Sequence, residues 1–362
     1  MRNYWQQHWF LTTLAALIVA GMTLGFLGYD QKLQPLVQQL NPRWITAGVL
    51  FLMAFSLASE HLWAAFRSPR PVLLGCLMNY GVVPLLAWGL MGVQQSDDFR
   101  FGLMIASSVP CTVAAASVMT RKARGNDAVS LLTTLATNLG CFVLTPLWLQ
   151  GTTGTQVELP IGRLMLDLLE AVLAPTIAGQ LLRQPARLHD FAVKHKAAIG
   201  VAAQVLIEVL VLTAALRAGV ALRQMKTAVP LPVESAEIAA ALPREYRNAT
   251  PAQEAPTPPI TVRGVFVVWS CCVGIHSLAL GGGWWIARRT GSSPAEAAAV
   301  AFAGSQKTLP IGLLISTDPA LFGSDYPFAM FPMLLYHTSQ LFLDTWVASR
   351  LARRKELAPS DS

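Results

Sequence analysis

Charge is what this chain has least of: Asp, Glu, Lys and Arg make up 13% of its 362 residues, against about 25% in an average soluble domain. With 53% of residues apolar, water cannot be the main solvent. Cysteine offers no framework either, because Cys76, Cys111, Cys141, Cys271 and Cys272 all fall inside apolar runs without disulfide or metal-ligand spacing. They read as small buried hydrophobes. The apolar runs hold no HExxH string and no paired aspartates, so the ingredients of an intramembrane enzyme or a metal centre are missing. The N-terminal apolar stretch lacks a clear small-x-small cleavage motif and reads as a first span, not a signal peptide. The net charge of +7 is not a nucleic-acid signal, since the basic residues lie in short clusters between apolar runs.

What is present is a series of blocks long enough to cross a bilayer. A span needs about 20 mainly apolar residues to cover about 30 Å of hydrocarbon. That ruler predicts an all-α integral membrane protein of about ten spans, near 9–28, 44–62, 71–93, 101–121, 127–149, 161–182, 197–222, 262–287, 295–316 and 327–349. Lys and Arg cluster on the side shared by both termini, at Arg67 and Arg70, Arg121 to Arg124, Arg183 to Lys196, Arg288 and Arg289, and Arg350 to Lys355. The short loops of the other side offer only Lys32, Arg43, Arg100 and Arg163. The positive-inside rule then places both termini in the cytoplasm, with the inner cell membrane as the expected location. Residues 224–259, rich in Pro, Ala and Glu, read as an outward-facing flexible insertion with at most a short helix around 234–242. Residues 350–362 read as a cytoplasmic tail.

Ten spans divide into five and five, 1–150 and 161–349, and an odd number per half inverts the second half in the membrane. That is the inverted-repeat plan of many secondary transporters, whose mark is an interrupted span at matching places in each half. The fourth span carries Pro110 near its centre, and the ninth carries Gly304, Ser305, Lys307 and Pro310. Each flanking piece is about ten residues, or about 15 Å of helix, half the hydrocarbon thickness. Freed backbone groups at such breaks must meet polar partners or line a cavity. Ser107, Ser108, Thr112, Ser305, Gln306 and Thr308 supply them. The plainer alternative is two proline kinks with hydroxyls that serve packing.

The run Pro110-Cys111-Thr112-Val113 through Ser117-Val118-Met119-Thr120, then Ala123-Arg124-Gly125-Asn126 and Leu144-Thr145-Pro146-Leu147, resembles the bile acid:sodium symporter superfamily. The string Gly304-Ser305-Gln306-Lys307-Thr308-Leu309-Pro310-Ile311-Gly312 looks like its sodium/bile acid cotransporter 7-like branch. The resemblance implies a core domain holding two crossing broken helices, a flatter panel domain, and substrate bound between them. It also implies a sodium site on the second half of span four and on span five, where Ser117, Ser130 and Thr134 fall. Asn138 on the same span is a further candidate, and oxygen ligands suit a hard cation. Two departures stand out: Ala303 occupies the place of a family glutamate and Lys307 that of a glutamine.

A lysine at the middle of a span costs about 2.5–3.5 kcal/mol to insert, so Lys307 is a functional candidate by default. It could stand in for a coupling cation, exchange a proton, bind an anionic substrate, or simply cap helix carbonyls. Glu208 is a possible protonatable site without an evident partner, on a different helix face from Arg217. His276 and His337 read as lone packing histidines, and Asp344 as a span-end residue facing Arg350 or water. The expected function is therefore a secondary carrier, coupled to Na+ or H+, for a small organic and anionic solute, with no other cofactor or metal. The alternative class is a non-transporting regulator acting through the outward loop. Substrate identity and oligomeric state are not encoded in any motif.

Overall fold

The computed structural model describes residues 2–30, 32, 40–57, 69–113, 115–154, 160–227, 260–323 and 325–357. Among them there is no strand, and the helices are α1 (Arg2–Phe26), α2 (Pro42–Ser56), α3 (Pro69–Leu77), α4 (Val83–Gly89), α5 (Asp97–Ser108), α6 (Ala115–Lys122), α7 (Asp127–Thr153), α8 (Ile161–Leu168), α9 (Ala174–Leu182), α10 (Ala186–Lys194), α11 (Lys196–Thr227), α12 (Val262–Arg289), α13 (Pro294–Ser305), α14 (Leu309–Thr317) and α15 (Phe331–Leu357). Among the described residues six segments are long and apolar enough to cross a membrane: Pro69–Val93, Asp127–Thr153, Ile161–Leu182, Lys196–Gln224, Val262–Arg289 and Pro294–Thr317. Thr12–Phe26 and Pro42–Ser56 are shorter apolar helices.

One of these segments differs in kind. The apolar window of Pro294–Thr317 is 100% buried, whereas the other five are 39–50% buried. Its first half, α13, is rich in alanine, which lets neighbouring backbones approach closely. It packs on α3, α7 and α12, and α12 packs in turn on α15. In a second group α1 lies along α11, and α2 packs against both α9 and α11. Gly25 and Gly219 set the closeness of α1 to α11, since a Cβ at either would stand 2.2 Å from a carbonyl oxygen of the facing helix.

Helix starts follow familiar chemistry. Ser293 and Glu296 form a reciprocal capping box ahead of α13, with Pro294 at the first helical position. Ser96 caps α5 and Asn126 caps α7 through their side-chain oxygens. The charged stretch 183–196, read from the sequence as a loop, contains the surface helix α10, with Ala192 its buried residue. The expected insertion begins as the end of α11, which runs to Thr227. Its remainder from residue 228, the short helix expected at 234–242, residues 58–62 of the second span, and 358–362 of the tail lie outside the described residues.

Two π-helical turns interrupt the ladders, at Met78–Val82 between α3 and α4 and at Leu169–Leu173 between α8 and α9. In the first, Val83 N–H bonds to Met78 O, five residues back, which leaves Asn79 O without its helical donor. Pro84 has no N–H for Tyr80 O. Both carbonyls are thus released toward the interior, where the site lies.

Candidate functional site at the two helix breaks

Pro110 forces Val109 into an extended conformation (φ −73°, ψ 157°) and ends α5 at Ser108. The second break is the segment Gln306-Lys307-Thr308, between Ser305 at the end of α13 and Leu309 at the start of α14, with Pro310 in the first turn of α14. The two breaks touch directly: Thr308 N–H donates to Pro110 O at 3.0 Å.

Every carbonyl from 108 to 111 has its own partner. Thr145 Oγ1 donates to Ser108 O (2.7 Å), Lys307 Nζ to Val109 O (2.9 Å), Thr308 N to Pro110 O (3.0 Å) and Asn138 Nδ2 to Cys111 O (3.0 Å). The second break is treated likewise. Asn79 Nδ2 donates to Ala303 O (3.2 Å) and Gln306 O (2.9 Å), Tyr336 OH to Ser305 O (2.9 Å), and Gln340 Nε2 to Lys307 O (2.9 Å). Gln340 Oε1 in turn accepts from Lys307 N at 2.8 Å, so one side-chain amide replaces a whole ladder rung. An unpaired backbone group in this setting would cost several kcal/mol, so the side chains are what permit two interrupted helices to meet in an apolar interior.

Lys307 is fully buried. Its ammonium donates to Asn79 O (2.7 Å), Val109 O (2.9 Å) and Asn79 Oδ1 (3.1 Å), and lies 5.5 Å from the centre of the Tyr80 ring. Three donors thus meet three oxygens plus an aromatic face. The π-turn supplies Asn79 O, and the C-terminal end of α5 supplies Val109 O with the negative end of its dipole. Among the described residues no carboxylate pairs with this ammonium. Tyr80 is itself held by its OH donating to Thr137 O (3.0 Å) and by Trp148 Nε1 donating to Tyr80 O (2.7 Å).

The other sequence-selected residues divide. Thr112, Ser305, Gln306 and Thr308 all meet at the crossing, with Thr112 Oγ1 donating to Gln306 Oε1 at 2.6 Å. Gly304 is needed for close approach, since a Cβ there would stand 2.7 Å from Met78 Cβ. Ser130, Thr134 and Asn138 follow one stripe of α7 at four-residue spacing. Thr134 Oγ1 reaches Cys111 Sγ (3.4 Å), so the stripe faces the α5–α6 link. Ser130 Oγ and Asn138 Oδ1 are buried without a hydrogen-bond partner. Ser117 is engaged elsewhere: its Oγ donates to Asp127 Oδ1 at 2.5 Å.

Several participants are absent from the sequence reading. In the sequence Asn79, Gln340 and Tyr336 are only polar groups within apolar runs. Asp344 is not a span-end residue: α15 continues to Leu357, and Asp344 is fully buried, accepting from Gln306 Nε2 at 2.6 Å. His276 is not alone either, since its Nε2 lies 2.9 Å from Asp344 Oδ1. His337 Nδ1 lies 3.3 Å from Lys307 O and 2.9 Å from Gln340 Nε2. Glu208 pairs with the Thr13 hydroxyl of α1, while Arg217 donates to Thr317 O at 3.1 Å. Among the described residues no group of three His, Cys, Asp or Glu side chains is arranged to hold a metal.

A second polar feature lies where the two helix groups meet. Arg43 of α2 donates to Asp167 Oδ2 (2.6 Å) of α8 and to Asp318 Oδ2 (3.1 Å) after α14. Beside them is a cavity of about 370 Å³ lined by Arg43, Arg163, Arg217, Asp318, Asn41 and apolar neighbours.

Two interrupted helices whose breaks meet around polar side chains are an arrangement found in secondary transporters. The chain belongs to the SBF-like CPA transporter family (DUF4137), which it matches over residues 8–229 and 250–353. The gap in that match falls inside the segment 224–259. Curated relatives include the uncharacterized sodium-dependent transporter YocS of Bacillus subtilis, 30% identical over 37% of this chain and 42% of its own. The rice (Oryza sativa subsp. japonica) protein named "Probable sodium/metabolite cotransporter BASS2, chloroplastic" is 30% identical over 48% of this chain and 41% of its own. An uncharacterized Pseudomonas aeruginosa protein is 27% identical over 86% of both chains. The chain thus spans less than half the length of the two sodium-named relatives.

Proposed function

We propose that this chain is a secondary active transporter: an ion-coupled carrier of a small organic anion in the inner cell membrane, with both termini cytoplasmic. In this reading ten spans form two inverted halves of five, and the fourth span of each half is the broken one. The observation that carries it is the Lys307 ammonium, resting on three oxygens where the two breaks meet. A charge is expensive in such a place and its neighbours are oxygens from two helices, the environment of a small monovalent cation. Lys307 acts as a tethered cation that takes one coupling site permanently.

A sodium ion occupies the α7 stripe. Ser130 Oγ and Asn138 Oδ1, buried oxygens in want of a partner, support this, and Thr134 lies between them. Ser117 joins by turning its hydroxyl from Asp127. The relatives named as sodium-dependent fit such coupling. The arginine-lined cavity between the helix groups supports an anionic substrate, with Arg217, whose guanidinium donates to the end of α14, as the recognition group.

A thermal-shift panel of organic anions, with and without sodium, selects the solute, because a ligand that prefers the folded state raises its stability. Uptake of that solute into liposomes is then expected to follow an imposed sodium or pH gradient. Uptake indifferent to every gradient refutes the coupling. Deleting 224–259 is expected to leave transport intact, and loss of transport would favour the outward segment as the functional part.

A further inference from the structure

His276 on α12 and Asp344 on α15 form a pair with no solvent exposure on either side chain. They lie on separate helices, 68 residues apart in the chain. Their geometry offers a place for one further proton. His276 Nε2 lies 2.9 Å from Asp344 Oδ1, so a hydrogen lies between imidazole and carboxyl. His276 Nδ1 lies 3.3 Å from Ser305 O, which can only accept, so a hydrogen on Nδ1 turns this contact into an attraction. With both hydrogens in place the pair holds one proton more than a neutral histidine facing an ionised aspartate.

That proton is wired to the crossing at both ends. Asp344 Oδ2 accepts from Gln306 Nε2 (2.6 Å), and Gln306 Oε1 accepts from Thr112 Oγ1 (2.6 Å), so the chain runs from one break to the other. At the far end, Ser305 O is the last carbonyl of α13. If the pair gives up its proton, the remaining ring hydrogen stays on Nε2 facing the carboxylate. Nδ1 then presents a lone pair to Ser305 O, and an attraction becomes a repulsion at the edge of the second break. Occupancy of the pair and closure of the crossing are thereby linked.

Resting on the carrier reading, we infer that His276 and Asp344 form a proton-binding site whose loading closes the crossing and whose unloading, to water on whichever face opens, releases it. The other titratable groups around the pair are few. Tyr336 of α15 stands edge-on to the imidazole with ring centres 5.7 Å apart and donates its own proton to Ser305 O. His337 faces Lys307 O. Cys272 precedes His276 by one turn of α12 and meets Pro332 O. Cys111 sits on the α5–α6 link, and the Lys307 ammonium turns away to Asn79 and Val109. Among the described residues neither member has another ion-pair partner.

The test is hydrogen–deuterium exchange of the full chain in nanodiscs from about pH 6 to pH 9, corrected for intrinsic chemical exchange. In the wild type the corrected exchange of residues 303–312 is expected to rise as the pair unloads, by up to about tenfold per pH unit, the most that linkage to one proton allows. In Asp344→Asn and His276→Gln that rise is lost. A pH-independent wild-type profile overturns the proposal without any variant, so misfolding of a variant cannot rescue it. A wild-type rise that persists unchanged in both folded variants overturns it too. Failure of the carrier reading is distinguishable: it appears as absent gradient-driven uptake alongside an intact pH-dependent opening of 303–312.

Discussion

Asp98 is a buried carboxylate whose removal should strengthen the protein. It follows the cap of α5, ahead of the fourth span, and its Oδ1 accepts from Phe328 N at 2.7 Å. Burial pushes its carboxyl from 3.8 up to about 6, a rise that the bond from Phe328 only partly offsets. At about 1.4 kcal/mol per tenfold, ionised Asp98 costs the fold about 3 kcal/mol at neutral pH. The sign follows from linkage. A carboxyl raised in the folded state binds more protons folded than unfolded between those two values, so stability falls as pH rises through that window and stays low above it. Asp98→Asn keeps the acceptor for Phe328 N and never ionises. It forfeits an attraction to the α5 N-terminus of about 0.3–1 kcal/mol. The net gain expected at neutral pH is about 2 kcal/mol, shrinking toward zero below about pH 4. Thermal unfolding in detergent, read with a thiol-reactive dye, is a suitable assay because Cys111, Cys141 and Cys272 are buried and unpaired until the chain opens. Equal melting of variant and wild type at neutral pH would refute the reasoning, and so would a gain that persists undiminished into acid.

Two further outcomes follow from packing and from unmet oxygens. Gly25→Ala or Gly219→Ala puts a Cβ 2.2 Å from a carbonyl oxygen of the facing helix. Each should cost about 1–3 kcal/mol by separating α1 from α11, as overpacking does. Gly200→Ala, with nothing within 4 Å of the new Cβ, is the matched control and should be neutral or slightly stabilising in the same melt. Ser130→Ala should leave stability in sodium-free buffer unchanged or higher, because it removes a buried hydroxyl without a partner. The same variant should lose most of the sodium-induced rise in melting temperature, and an undiminished rise would take Ser130 off the ion site.

The breaks were legible in the chain because proline and lysine inside apolar runs are costly locally, whatever surrounds them. Pro110 and the stretch from Gly304 to Pro310 announce themselves in this way. The partners were not legible, because they come from tertiary geometry. Asn79 reaches Lys307 only through a π-turn that frees its carbonyl, and Pro84 was the one local hint of it. Asp344 reads as a span-end residue when the span closes at 349, whereas α15 continues to Leu357 and leaves Asp344 near its middle. With the aspartate read as facing Arg350 or water, His276 shows no partner. The contact of Ser117 was not legible either: Asp127, ten residues on, takes its hydroxyl because the turn between α6 and α7 folds back on itself. Gln340 looks like any polar residue in an apolar helix until the peptide of Lys307 lies against it.

The claim that matters most is that the Lys307 ammonium takes the place of a cation at the crossing. Melting of Lys307→Ala and of the wild type, each in sodium and in a large organic cation, tests it directly. Without its ammonium the variant leaves Asn79 O, Asn79 Oδ1 and Val109 O facing an empty space. It should melt well below the wild type in the organic cation and recover more with sodium than the wild type gains, by about 2.7 kcal/mol at a hundredfold excess over Kd. Equal sodium-induced shifts in the two proteins would contradict the account.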